Sequence, residues 1–287
     1  MMRHLLVLSC MVGPVAAAVA QTPAASAAPA VAPRFHWQPG ATLRYRVVQQ
    51  TVVHETTVDD KTEKATTSTT QSRLALVRQW KVQEVDKQGI ATLEMSITEM
   101  KSEFRQPDGS VTTADSTQPA DAKAMANYLN TPIVVLRIDS QGKIVDVKQA
   151  KGGNAARIYA ELPFRVEWPE KWPQTGGTWE RRFTFKLDPP LGTGESYEFL
   201  QKYTEKGTTS EGLFTAGLET TLKNPPPTPG EQLPLLPLLW TGEVYFNTRT
   251  GQYQAARLKV QAELMHHQGE GTKYRYESVY AEDLLDK

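Results

Sequence analysis

The sequence predicts a mainly β protein, a β-rich α+β fold of two similar curved antiparallel sheets, each closed in part by a short helix or covering loop, like a half-open barrel. Three observations predict this class. Segments rich in β-branched and aromatic residues alternate with turns that contain Gly, Pro or Asp. Only two short stretches have helical spacing. The second half of the chain repeats the order of features found in the first.

Residues 35–150 form the predicted first β repeat. A Trp-Gln-Pro-Gly turn at residues 37–40 precedes its first strand, and the turn at residues 86–89 joins two long strands. Antiparallel meanders of this kind bury one face of the sheet and leave the other in water. Strands are predicted at residues 43–53, 65–85, 90–104, 133–138 and 143–147.

Two segments interrupt the β pattern. In residues 121–130 the apolar side chains follow the spacing of one helix face, and Asp121 is the predicted N-cap. Residues 154–162 have a similar pattern and end at Pro163, which cannot continue a helix. The second segment falls within residues 151–171, which we predict to be a helical connector between the two halves.

Residues 172–287 form the predicted second β repeat. Residues 172–179, which begin and end with Trp, precede a strand as residues 37–40 do in the first half. Three such correspondences in the same order predict two copies of one curved sheet. The other corresponding turns contain Gly89 and Gly142 in the first half and Gly207 and Gly251 in the second.

The order of these features resembles an uncharacterised family of exported, β-rich bacterial proteins, a domain of unknown function with no assigned activity. The resemblance covers most of residues 37–284. It implies a fold and an export route and supplies no catalytic residue. It rests on Trp37 with Gly40 and Tyr45, on residues 82–89, on residues 139–147 with Gly142, on Gly177-Thr178-Trp179, and on residues 242–253.

Residues 1–20 predict a secretory signal peptide. An Arg near the start supplies the positive charge, an apolar stretch follows, and Ala18 and Ala20 are the small residues that precede a cleavage site. Residues 21–34, rich in Ala and Pro, predict a disordered linker. We therefore expect a periplasmic or secreted protein.

Cys10, the single cysteine, lies inside this signal, so the mature protein is expected to have no disulfide. Residues 7–10, Val-Leu-Ser-Cys, loosely resemble a lipidation site, and anchoring through Cys10 is the minor alternative. After signal cleavage we expect no transmembrane segment.

Charge and motif content argue against several classes of function. The 32 Lys and Arg residues balance 32 Asp and Glu residues and are scattered, so we expect no nucleic-acid partner. Nucleophile-elbow, zinc-protease, phosphate-loop and calcium-loop motifs do not occur in the sequence. We therefore expect no catalytic residue, no metal and no cofactor.

Two weaker patterns are compatible with a functional site but favour a role at the surface. His266 and His267 lie near two glutamates, but neighbouring side chains on a strand point to opposite faces, so solvated histidines are favoured over a metal site. Glu161 and Glu167 form a carboxylate pair of the kind that glycosidases use. Because 32 acidic residues create many such pairs by chance, we expect solvated surface here too.

Residues 224–240 combine six prolines with a run of leucines and a final Trp. The prolines exclude a regular helix or central strand, whereas the leucines carry more apolar surface than a free loop exposes. The segment is predicted to cover the concave face of the second sheet, either as core or as a lid over a ligand. The predicted ligand-binding residues are Leu235, Leu236, Leu239 and Trp240.

A curved sheet leaves a concave apolar face. The leading hypothesis is a non-catalytic exported envelope protein that binds an apolar small molecule or an envelope protein in or around that face. Two alternatives stay open, a purely structural or interaction module of the envelope and an unrecognised hydrolase. An aliphatic cavity favours binding, a filled interior favours the structural module, and a polar cleft with converging acidic groups or His favours the enzyme.

Overall fold

The structure is a computed structural model that describes residues 32–151, 155–173, 177–189 and 191–285. The predicted signal peptide and residues 21–31 of the linker lie outside the described residues. Strands account for 56% of the structure and helices for 9%, so the prediction of a mainly β, half-open fold is confirmed.

Twelve strands were assigned, and the predicted strands of the first half all have a counterpart among them. The first six are β1 (Thr42–Val58), β2 (Ala65–Val85), β3 (Ala91–Arg105), β4 (Val111–Asp115), β5 (Val134–Ile138) and β6 (Ile144–Ala150). The second six are β7 (Thr178–Leu187), β8 (Glu195–Thr208), β9 (Leu213–Leu222), β10 (Thr241–Asn247), β11 (Gln252–Met265) and β12 (Lys273–Leu284).

Three short α-helices and one 3-10 helix connect the strands. They are α1 (Pro119–Ala124), α2 (Ala155–Glu161), α3 (Pro229–Gln232) and the 3-10 helix Leu233–Leu238. Helix α1 begins two residues before the predicted N-cap, because Pro119 occupies its first turn and favours a helix start. The predicted cap Asp121 lies inside α1, where its carboxylate accepts a hydrogen bond from the Asp115 backbone N–H over 2.8 Å.

The twelve strands form one antiparallel sheet in which the two predicted sheets are joined edge to edge. The order is β6-β5-β3-β2-β1-β12-β11-β10-β9-β8-β7, with β4 paired to β3. Strand β12 pairs with β1 from Tyr45–Leu284 to Thr56–Lys273. Without β12, β1 would expose a long row of unpaired backbone groups. In both halves, successive strands are added across the sheet in the same direction. The duplication of the two halves stays a prediction.

One face of the sheet is concave and apolar. Along β1, Leu43, Tyr45 and Val47 are buried and alternate with exposed Arg44 and Arg46. The same alternation with period two continues on β11 and β12, as expected for strands with one solvated face. The hydrophobic core therefore lies against this concave face.

The predicted connector crosses the concave face and fills it. Phe164 and Trp168 are each only 1% exposed. The ring of Phe164 lies 6.0 Å from that of Tyr45 and 5.9 Å from that of Tyr253, centroid to centroid, so it bridges the two halves of the sheet. The connector is a part of the core that both halves share.

The connector is fixed to the turn between β5 and β6. The backbone N–H of Trp168 donates to the carbonyl of Gln141 over 2.8 Å. Gly142 has φ +83°, and a Cβ at this position would come within 2.7 Å of the Val166 carbonyl oxygen. Glycine is therefore required here both by the turn and by the close approach of the connector.

Candidate functional site

The four residues predicted to bind a ligand lie in or beside the 3-10 helix at the second half of the sheet. Leu235, Leu236 and Trp240 are buried, and Leu239 is half-buried. Leu236 and Trp240 belong to the main core, and Leu235 belongs to a smaller cluster with Phe199. The prolines that exclude a regular helix still permit a 3-10 turn, which places the leucines on the sheet.

Trp240 connects this segment to the apolar face of the sheet. Trp240 contacts Tyr280 of β12, with ring centroids 5.8 Å apart. Burying side chains of this size contributes about 1.5–3 kcal/mol each. Three of the four residues are buried, in two neighbouring clusters, and the role of all four in ligand binding stays a prediction.

A second feature of the concave face, which the sequence analysis did not identify, is a cavity of about 210 Å³ between α2 and strands β2, β3, β5 and β6. Its walls are mainly apolar. Its mouth carries Lys151 and Arg157, which are exposed. The apolar lining residues are Trp80, Met95, Ile133, Val134, Ala150, Ile158, Leu162 and Pro163.

The polar side of this cavity is built on a buried ion pair. The side chain of Glu282 is fully buried and pairs with Arg78, which also lines the cavity. The hydroxyl groups of Tyr253 and Tyr280 each donate to Oε2 of Glu282 over 2.8 Å. The buried carboxylate is therefore matched by one guanidinium and two hydroxyl donors, as burial of a charge requires.

Arg165 extends this network to the connector. Its Nη1 donates to Oε2 of Glu161 over 3.1 Å, and its guanidinium carbon lies 4.5 Å from the centroid of the Tyr280 ring. Arg165 has φ +57°, and Leu162 has φ +54°. Residues other than glycine rarely adopt this conformation, and such strain often clusters at functional sites.

The buried charges of this network shift the pKa values of Tyr280, Arg165 and Glu161, so that the phenol stays neutral and the ion pairs stay charged. Burial raises the pKa of Tyr280, and the nearby carboxylate of Glu282 raises it further, so the phenol stays protonated. Burial lowers the pKa of Arg165, but Tyr280, Glu161 and Glu282 outweigh burial and raise it overall. Burial raises the pKa of Glu161, yet the guanidinium groups of Arg165 and Arg157 bring it below its ordinary value.

Three buried N–H donors on residues that line the cavity have no hydrogen-bond partner. They are Nε of Arg78, Nε of Arg165 and Nε1 of Trp80. Arg165 is 7% exposed and Trp80 is 2% exposed. A buried donor without an acceptor costs about 1–3 kcal/mol. Three of the seven unpartnered buried side-chain atoms in the described part of the chain thus belong to residues that line this cavity.

The sequence contained a signal for these residues. Arg78 lies two residues from Leu76 and from Trp80, in the register of β2 that faces inward. Glu282 likewise follows Tyr276, Ser278 and Tyr280 along the buried register of β12. A charged residue at an inward position of an alternating strand marks a buried polar group. The ion pair between Arg78 and Glu282 was not predictable, because it forms only when β12 lies beside β1.

The histidines occupy a turn beside β11. His266 is exposed, as expected, and has φ +59°. The expectation of a solvated side chain is wrong for His267, which is buried with Nε2 3.0 Å from Oε1 of Glu55. Across the ranges that the structure describes, no group of three or more His, Cys, Asp or Glu residues is placed to hold a metal ion.

The opposite, solvated face of the sheet carries a wider groove of about 800 Å³. Charged side chains line it in opposite pairs across neighbouring strands, with Lys202 opposite Glu219 and Glu243 opposite Arg257. Such cross-strand pairs stabilise a solvated sheet surface. Val48, Leu258 and Val279 add apolar surface to this groove, and Lys206 and Lys259 add positive charge.

Within the described residues, no helix has the length and apolarity needed to cross a membrane. No family model and no curated protein matches the chain.

Two solved structures are similar to the chain with low TM-scores and low sequence identity. One concerns lipid–protein interactions in lipovitellin, with 12% identity and a TM-score of 0.43 over 88% of this chain. This chain spans about a quarter of lipovitellin, 26% of its length. The other is DynF from the dynemicin biosynthesis pathway of Micromonospora chersina, with 9% identity and a TM-score of 0.22 over 91% of this chain and 88% of DynF.

Proposed function

We propose that this protein is a non-catalytic exported protein of the cell envelope that binds an apolar ligand in the cavity beneath α2. The cavity and its apolar walls carry this proposal. The cavity opens to solvent at α2, so its apolar walls contact water unless a ligand covers them. The connector and the 3-10 helix cover other parts of the same face with buried apolar side chains.

The volume of the cavity limits what it holds. Small-molecule pockets commonly measure about 300–1,000 Å³, and this cavity measures about 210 Å³. It therefore takes a small molecule or one end of a longer chain. Lys151 and Arg157 at the mouth are exposed, so the remainder of a longer ligand extends between them into solvent.

The placement of the carboxylates supports binding over hydrolysis. Glu161 is in ion pairs with Arg157 and Arg165, and Glu167 is in an ion pair with Arg181 over 3.1 Å. A general acid and base must be free to exchange protons with a substrate. Carboxylates already held by guanidinium groups suit a structural role better.

Assignment to the envelope rests on the predicted signal peptide at residues 1–20. Export places the protein where apolar molecules must cross an aqueous compartment, and a partly enclosed cavity keeps apolar surface out of water. The cavity and the predicted export route are thus both compatible with binding an apolar ligand in the envelope.

Native mass spectrometry of the protein purified from its own envelope tests the proposal directly. We expect a small amphiphilic or apolar molecule to co-purify. A co-purifying protein without a small molecule would instead support the interaction module.

A cavity-filling variant gives the second test, with 1-decanol as the probe in isothermal titration calorimetry. Ile158→Trp places a large side chain at the cavity wall and is expected to weaken decanol binding at least tenfold. Val145→Trp, on the exposed side of β6, adds a comparable volume outside the cavity and is expected to leave binding unchanged. Absence of binding to the unmodified protein would overturn the proposal.

A further inference from the structure

Strand β7 is the last strand at one end of the sheet, and its outer edge has no strand beside it in the described part of the chain. Its backbone pairs along its whole length with β8 and with no other strand. Helix α2 reaches β7 from the concave side, where Arg181 donates to the carbonyl of Ala160 over 3.1 Å. The described backbone of α2 makes no hydrogen bond to that of β7. An open strand edge is a template for pairing with another chain.

The edge of β7 is more regular than the edge at the other end of the sheet. Strand β6 has 7 residues, and its register with β5 shifts twice. Strand β7 has 10 residues and pairs with β8 without a shift. Bulges disrupt a ladder and protect an edge from further pairing. The outer edge of β7 is therefore the better place for an added strand.

The side chains of β7 alternate strictly between the two faces of the sheet. The exposed residues on the solvated face are Thr178, Glu180, Arg182, Thr184 and Lys186, and the buried ones on the concave face are Trp179, Phe183, Phe185 and Leu187. On the solvated face an acidic residue near the start of the strand is thus followed by a basic residue near its end. Two such strands in antiparallel orientation match opposite charges.

We propose that β7 pairs antiparallel with β7 of a second copy of this chain, about a two-fold axis at Phe183. In this register Glu180 lies opposite Lys186 of the second copy, and the symmetry forms the same pair a second time. Phe183 lies opposite Phe183 of the second copy on the concave face. A two-fold interface of this kind uses the same surface on both copies and closes as a dimer. The interface is separate from the cavity and goes beyond the proposed function.

Other registers bring like charges together or mismatch the faces. An axis at Arg181 or at Arg182 places two identical guanidinium groups opposite each other, and an axis at Thr184 places Arg182 opposite Lys186. Like charges directly opposite destabilise a strand pair. An axis between two residues puts the concave face of one copy beside the solvated face of the other. An axis nearer either end pairs only about half of the strand.

The charges that set the register are available at the surface. Glu180 is exposed and forms no ion pair with another described residue. Lys186 is 56% exposed, and its contact with Asp188 over 3.3 Å is a solvated one. Solvated pairs of this kind contribute little affinity but discriminate between registers. The affinity comes from the backbone hydrogen bonds and from the apolar row at Phe183.

Sedimentation velocity of the mature chain over a range of concentrations tests the dimer. Glu180→Lys and Lys186→Glu each place like charges opposite each other and are expected to raise the dimer Kd at least tenfold. The double variant Glu180→Lys with Lys186→Glu restores opposite charges and is expected to return the Kd to within threefold of the unmodified protein. Lys148→Glu, on exposed β6, is the control and should leave the Kd unchanged.

A disulfide cross-link tests the register without changing Glu180 or Lys186. Arg182 and Thr184 of the second copy are opposite each other, and opposite residues of an antiparallel pair have Cα atoms about 4.5–5.5 Å apart, within disulfide range. The mature chain is predicted to contain no cysteine. Oxidation of a mixture of Arg182→Cys and Thr184→Cys proteins should give mainly the mixed dimer, identified by its mass.

Three outcomes would overturn the proposal. A chain that stays monomeric up to its highest soluble concentration has no such interface. A dimer that neither charge reversal weakens, and that the mixed cysteines do not cross-link, uses another surface. Larger assemblies that Lys148→Glu dissolves would show head-to-tail pairing of β6 with β7 instead. Circular dichroism of each variant confirms that it remains folded.

Discussion

Arg78 and Glu282 are 204 residues apart in the sequence and form an ion pair on the concave face of the sheet. Arg78 is on β2 and Glu282 is on β12, and β1 lies between these strands. The pair therefore forms only when both strands have docked on β1. It connects the two halves of the chain at the polar side of the candidate binding cavity.

Removing one charge of this pair is expected to destabilise the protein strongly. Glu282→Gln keeps the side-chain shape but leaves the guanidinium of Arg78 buried without its carboxylate, which costs about 3–5 kcal/mol. Urea unfolding followed by circular dichroism measures the change. The matched control is Asp283→Asn, whose side chain pairs with Arg257 at the surface and is 48% exposed. There we expect about 0–1 kcal/mol. Equal effects at the two positions would contradict the structure.

Leu236 tests the role of the 3-10 segment. Leu236→Ala removes a buried aliphatic side chain and is expected to lower the free energy of unfolding by about 2–5 kcal/mol. Decanol affinity of the folded fraction should not change if the segment is core only. Leu191→Ala, at a position that is 61% exposed, is the control and should change stability by less than about 0.5 kcal/mol. A loss of decanol binding without a loss of stability would instead support the predicted lid.

The lowered pKa of Glu161 predicts a pH-dependent contribution to stability. Burial raises this pKa, but Arg165 and Arg157 outweigh burial and bring it below the ordinary value of about 4.3. The folded state therefore binds a proton less readily than the unfolded state. The contribution is complete above about pH 5 and is lost as the pH falls below about 4, through the pKa of the folded state.

Comparison with Glu161→Gln isolates that contribution. The variant should be less stable than the unmodified protein at pH 7, and the two free energies of unfolding should converge as the pH falls through the lowered pKa of Glu161 in the folded state. Glu198→Gln, which removes an exposed carboxylate paired with Arg182, should show a much smaller pH-dependent difference. A difference between Glu161→Gln and the unmodified protein that stays constant with pH would refute the assigned ion pairs.

Export predicts the start of the mature chain. Sequencing of the N-terminus of the protein recovered from its own cells should begin at or near Gln21, or a few residues further along the Ala-rich run. A chain that begins with an acylated Cys10 would overturn the predicted cleavage after Ala20 and establish the lipid-anchored alternative.

Much of the secondary structure was predictable, because strands with one solvated face show their alternation directly in the sequence. The strands of the first half lie close to their predicted bounds, and the second helical segment at residues 154–162 contains α2. The single sheet was not predictable in this way. It depends on pairing between β1 and β12, and local periodicity carries no information about which distant edges meet.

The candidate site was predictable only in part. The leucine segment was identified because its prolines and apolar residues conflict locally. The cavity was missed because its residues come from four strands and the connector, and Arg165 faces it through a backbone conformation that residue type alone does not indicate. Arg78 carried a usable signal, since it is a charge in the inward register of a strand.

The pairing of β1 with β12 also sets the order in which the molecule can fold. β1 is synthesised before the other described strands, yet its second partner is synthesised after all of them. Contacts so distant in sequence slow folding, because a long chain segment must be ordered before they form. Until then one edge of a 17-residue strand stays open to pairing with other chains. Aggregation before folding is completed is therefore the main kinetic hazard of this topology, and a chaperone that covers β1 would relieve it.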